Sequence, residues 1–148
     1  DGQRRYRLGT IRVVGDYGVE VGALERRGDT CHLPLTWTTH TELPDDVRPF
    51  CHFDHGGLIA FQGHPQPETD LEQLRSPGVV KLGCTFRVPE DAKGRKYAVH
   101  VGLWSPARQG ARNHKERMLP DNGAADRRVL LGELTVNGKG NPDFSAAQ

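Results

Sequence analysis

Apolar and polar residues alternate along much of this chain, most clearly over residues 79–106. Val80, Leu82, Cys84, Phe86 and Val88 alternate with polar or small residues, and after a break at 89–96 so do Tyr97, Val99, Val101 and Leu103. Alternation with period two puts one row of side chains on a buried face. Both halves therefore read as half-buried strands, and the Pro/Asp/Gly break between them makes the stretch a hairpin around which other strands stack.

The same pattern recurs elsewhere. Residues 11–14 and 19–24 read as short strand pieces on either side of the turn signal Gly15-Asp16-Tyr17-Gly18. Residues 30–39 form one strand with Cys31, Leu33, Leu35 and Trp37 on a single face, and Pro34 marks an edge position or a bulge because it removes a ladder donor. Residues 50–54 and 58–62 flank His55-Gly56-Gly57 as a hairpin. Residues 63–77 hold three prolines and at most one helical turn, around Leu71 and Leu74. A long polar loop at 107–125 precedes a last strand at 127–136. Many short strands without a long amphipathic helix predict an all-β antiparallel sandwich, immunoglobulin-like or jelly-roll-like, with seven to eight strands. The expected layout is an N-terminal edge or linker at 1–10, the sandwich domain at 11–136 and a C-terminal tail at 137–148.

Composition agrees with one turn-rich domain. The chain has 148 residues, 18 of them Gly and 10 Pro, and a domain of that size buries roughly 70% of its unfolded surface. A formal charge of +1 supplies no whole-chain field for nucleic acid or a membrane surface. No apolar run reaches the length of a bilayer span. The start, DGQRRYRLG, is neither a signal peptide nor a Met start, so the chain is expected to be an excised piece or a processed product. Cys31, Cys51 and Cys84 lie in predicted strands with no CxxC spacing. They read as buried thiols, with a Cys31–Cys84 bridge as the alternative.

Six segments, taken in order, resemble a known group. They are Gly28-Asp29-Thr30 leading into the strand that ends at Trp37; FCHFDHGG; GHPQPETD; VVKLGCTFRVPED; KYAVHVGLWSP; and RRVLLGELTV. Over residues 10–136 this order is similar to the immunoglobulin-like β-sandwich accessory modules of bacterial carbohydrate-active enzymes and surface-polysaccharide glycosyltransferases. The chain departs from their pattern in a turn one residue longer at Gly94-Arg95-Lys96-Tyr97, and in Trp104 where such modules often carry Tyr. The resemblance implies a sandwich, an extracytoplasmic location at the cell surface or in secretion, and a neighbouring catalytic domain. Gly94 suits the positive φ of a tight turn, and Tyr97 suits a buried corner aromatic.

Three functional readings follow, in this order. The first is a non-catalytic glycan-binding module. Sugars stack their C–H faces on aromatic rings and direct hydroxyls to polar side chains, which singles out Tyr17 and Trp104, Trp104 lying on the parity opposite to Val99, Val101 and Leu103. The basic stretch Arg108, Arg112, Lys115 and Arg117, with Glu116 as its single acid, suits the carboxylate or sulfate groups of an acidic polysaccharide. Without interleaved aromatics it does not suit nucleic acid. The second reading is a structural module packing on a catalytic neighbour. The third is a metal-dependent enzyme using His52, Asp54 and His64, since residues two apart on a strand share a face. No GxSxG, Gly-rich phosphate loop or HExxH occurs, so no cofactor or resident metal is expected.

Overall fold

The computed structural model describes residues 15–147, so the expected features at 1–10 and 11–14 lie outside the described residues. Within them the chain forms eleven strands. The first four are β1 (Tyr17–Val21), β2 (Glu25–Arg27), β3 (Thr30–Leu33) and β4 (Leu35–Thr39). Next come β5 (Arg48–His55), β6 (Leu58–Gln66), β7 (Gly78–Lys81) and β8 (Gly83–Phe86), then β9 (Lys96–Trp104), β10 (Val129–Val136) and β11 (Pro142–Ala146). They build two antiparallel sheets, one of three strands in the order β1-β4-β7 and one of eight in the order β11-β10-β9-β5-β6-β8-β3-β2. The all-β antiparallel sandwich expected from alternation is present, with eleven strands rather than seven to eight. No helix among the described residues is long and apolar enough to cross a membrane.

The core lies between the sheets. Tyr17, Trp37 and Leu82 meet the inward row of the larger sheet, which includes Phe53, Tyr97, Val99, Val101 and Leu103, and all are essentially inaccessible. Trp37 donates its ring N–H to the Leu82 carbonyl at 2.7 Å, which satisfies the one polar atom of a fully buried ring. The β5–β6 hairpin turns on Gly56 and Gly57, both with positive φ (61° and 82°), as a two-residue hairpin turn demands. Gly94 has φ 77°, as its turn predicted, and Tyr97 is buried.

Several sequence expectations need correction. The stretch 79–106 is not a hairpin, because β8 pairs with β3 and β6 while β9 pairs with β5 and β10. Alternation reports which face a strand buries and carries no information about its partner. Residues 30–39 are two strands rather than one, breaking at Pro34 and belonging to different sheets. A matching break at Leu82 separates β7 from β8, and Leu82 N–H donates to the Leu35 carbonyl at 3.1 Å across the corner. The segment 137–148 is no simple tail, since β11 pairs along β10. Tyr17, placed in a turn by its glycine neighbours, starts β1. The helical turn at Leu71 and Leu74 is a 3-10 helix over Glu68–Arg75.

All three cysteines are buried and free. Leu33 rather than Cys31 sits opposite Cys84, so the neighbouring strands do not bring that pair into bonding register. Cys84 instead meets Cys51 across β6, and burial, followed by this thiol–thiol hydrogen bond, pushes the Cys51 pKa well up. The glycine at position 63 makes this contact possible, because a Cβ there would collide with the Cys84 sulfur.

Candidate functional site

The larger sheet has an outer face that the smaller sheet does not cover, and its side chains are those of opposite parity to the core row. On β5 these are Arg48, Phe50, His52 and Asp54; on β9 they are Ala98, His100, Gly102 and Trp104. Register pairs them as Arg48 with Trp104, Phe50 with Gly102, His52 with His100 and Asp54 with Ala98. On β6 the outer row continues through Gln62, opposite His52, to His64, opposite Thr85 of β8. Thr85 in turn faces His32 of β3. Strand register thus gathers His32, His52, His64 and His100, which look scattered in sequence, onto one surface.

A groove of about 440 Å³ opens where this face meets the loop that follows β9. Its floor comes from β5, β6 and the end of β9, including Phe50, His52, Gln62, His64 and the half-buried Trp104. The loop closes one side with Gln109, Gly110, Glu116 and Arg117, and Arg48 stands exposed at the edge. Backbone bonds fix that loop to the strand end: Ser105 N–H donates to the Glu116 carbonyl and Met118 N–H to the Leu103 carbonyl, both at 2.8 Å. Asp46 anchors its start by accepting from the Ser105 hydroxyl at 2.7 Å and the Ala107 N–H at 2.8 Å. These two bonds, the hydroxyl one foremost, lower the Asp46 pKa.

Phe50 is held flat because its cross-strand partner has no side chain; a Cβ at Gly102 would overlap the Phe50 ring. His52 stacks on Phe50 with ring centres 4.5 Å apart. The Arg117 guanidinium lies 5.1 Å from the same ring centre, within cation–π range. Arg117 also donates to the Asp126 carbonyl at 2.7 Å, and no carboxylate among the described residues pairs with it. Burial, then the neighbouring Arg128 charge, lowers its pKa. The Glu116 and Asp126 carboxylates act against both effects. Glu116 contributes a buried carboxylate oxygen, Oε2, that has no hydrogen-bond partner.

Beside the groove, on the same outer face, lies a charged cluster. Asp54 Oδ2 accepts from Arg128 at 2.7 Å and lies 3.1 Å from His100 Nδ1. Arg128 also donates to Asp126 at 2.8 Å and approaches His52 Nδ1 at 3.4 Å. Burial first, then the Arg117 and Arg128 charges, hold the His52 pKa down to about 4, so the ring is neutral near pH 7. With Nδ1 turned to Arg128, the single proton of that neutral ring sits on Nε2 and makes it a donor.

The sequence-predicted residues separate clearly in space. Trp104 and Arg117 line the groove. Tyr17 is fully buried with its ring 5.7 Å from Trp37, so it is a core residue and not a ligand platform. Arg108, Arg112 and Lys115 are exposed on the loop and do not line the groove. His52 and Asp54 share a face as expected, but Asp54 is engaged by Arg128 and His100. Among the described residues no group of three His, Cys, Asp or Glu side chains is arranged to hold a metal ion. Phe50, Arg48, Gln62 and Glu116 were missed as site residues. For Phe50 and Arg48 a signal existed, since both have the parity of His52, but only pairing with β9 puts them beside Trp104. No family model, curated protein or solved structure matches the chain.

Proposed function

We propose that the protein is a non-catalytic glycan-binding sandwich module of a larger carbohydrate-active or surface protein, and that the outer-face groove takes the sugar. The observation that carries this reading is the partly exposed Trp104 ring, set beside Phe50 and polar side chains in one open groove. Aromatic faces stack on sugar C–H surfaces, while the donors of His52, Gln62 and Arg117 suit hydroxyl groups. Arg48 and Arg117 suit carboxylate or sulfate substituents, so acidic polysaccharides belong among the ligands tested. This role places the module outside the cytoplasm, where polysaccharide is met.

Affinity electrophoresis through gels containing neutral or acidic polysaccharides tests the reading. Retardation is expected in at least one gel. It should weaken about tenfold in Trp104→Ala, the loss of one stacking contact worth about 1–1.5 kcal/mol, and also in Gln62→Ala, whose exposed side chain supports no other part of the fold. The absence of retardation in every gel overturns the proposal.

A further inference from the structure

The groove is one end of a longer built surface. Its floor residues Gln62 and His64 also line a second depression of about 280 Å³, shared with Thr30, Thr85 and Arg87. A third, of about 330 Å³, lies beside it and is lined by His32, Gln66, Lys81 and Gly83. The second and third are joined by a side-chain ladder, in which Thr85 donates to Gln66 Oε1 at 2.8 Å and His32 Nδ1 lies 3.0 Å from the Thr85 hydroxyl. The ladder holds these groups in fixed positions before any ligand arrives.

Register puts one line of residues through the groove, the second depression and the His32 rim of the third, whose far side is formed by Leu35, Thr36 and Lys81 of the smaller sheet. Phe50 pairs with Gly102, and His64 lies one step beyond the Cys51–Gly63 pair, alongside Phe50. His64 pairs with Thr85 and Thr85 with His32. The row Gly102–Phe50–His64–Thr85–His32 therefore crosses five adjacent strands at a right angle to them. Four strand spacings of about 4.8 Å make it about 19 Å long, the length of roughly four sugar residues in an extended chain.

We propose that this face binds the interior of an extended, linear polysaccharide chain laid across the strands. The Phe50–Trp104 groove forms the aromatic end of the site, and His64, Thr85, Gln66 and His32 form a polar second half. This rests on the glycan-binding reading and adds the form of the ligand to it: a chain of about four residues rather than a terminal sugar.

Calorimetric titration with linear oligosaccharides of one to six residues, in a neutral β-1,4-glucan series and an acidic polygalacturonate series, tests it. In the series that binds, affinity should rise with each residue up to about four and then level off. Gln66→Ala, an exposed position, and Thr85→Val should each weaken the tetramer about tenfold and leave the dimer unchanged. Trp104→Ala should weaken both. Affinity independent of chain length, or tetramer binding indifferent to Gln66→Ala and Thr85→Val, overturns the extended site while leaving the groove reading intact. Failure of both series to bind overturns the two together.

Discussion

Lowering the pH from about 7.5 to about 5 protonates a histidine in the unfolded chain, where its pKa is near 6.5, but not His52 in the folded protein, where it is held at about 4. Between those two values the unfolded state binds the extra proton, so stability falls as the pH falls. Linkage puts the loss at about 2 kcal/mol at pH 5 and near zero at pH 7.5. Water on the groove side of the ring screens part of this and leaves about 1–2 kcal/mol. Burial is the main cause; Arg117 and Arg128 add to it, His100 adds less, and Asp54 opposes them. His52→Gln removes the titration and keeps a polar side chain of similar reach. In urea unfolding at both pH values the wild-type protein should lose about 1–2 kcal/mol more than the variant. With a slope of about 2 kcal/mol per molar, that is a midpoint difference of roughly 0.5–1 M. His32 and His100, whose pKa values are also lowered chiefly by burial, titrate in both proteins and cancel. Equal losses in the two proteins would refute the placement of His52 as a buried neutral ring between Phe50 and two arginines.

Three further outcomes follow from packing. Gly102→Ala forces the Phe50 ring off the sheet and should cost about 1–3 kcal/mol, read as a lower urea midpoint; an unchanged midpoint would mean the ring does not lie there. Trp37→Phe removes the 2.7 Å bond to the Leu82 carbonyl and leaves that acceptor buried, so about 2–3 kcal/mol should be lost in the same assay. A thiol-reactive disulfide reagent should find none of Cys31, Cys51 and Cys84 within minutes in the native protein. All three should react after unfolding without reductant, and a lower count would reveal a bridge.

Alternation along β4, β8 and β9 gave the buried faces correctly, because period two is a local property that each strand carries alone. The Gly56-Gly57 turn was legible for the same reason, since positive φ at both positions is a demand made by two adjacent residues. Partners were not legible. Nothing within 79–106 says that β9 turns away from β8 to lie between β5 and β10, a choice made by contacts far apart in sequence. Tyr17 shows the limit from another side: a Gly-Asp-Tyr-Gly string reads as a turn until a core large enough to bury the ring exists. Trp104 was recovered by parity alone, whereas its neighbours Phe50 and Arg48 became visible only with strand order.

The one-residue corners at Pro34 and Leu82 have a mechanical consequence. Two of the three strands of the smaller sheet, β4 and β7, run straight on into β3 and β8 of the larger one. Neither sheet can therefore peel away or slide past the other without tearing its own chain path. Any load applied to the face at His32 and Thr85 passes within three or four residues along the chain into the layer that holds Trp37. A tether attached through that face would pull on the whole sandwich at once, so the molecule should yield under force in a single step.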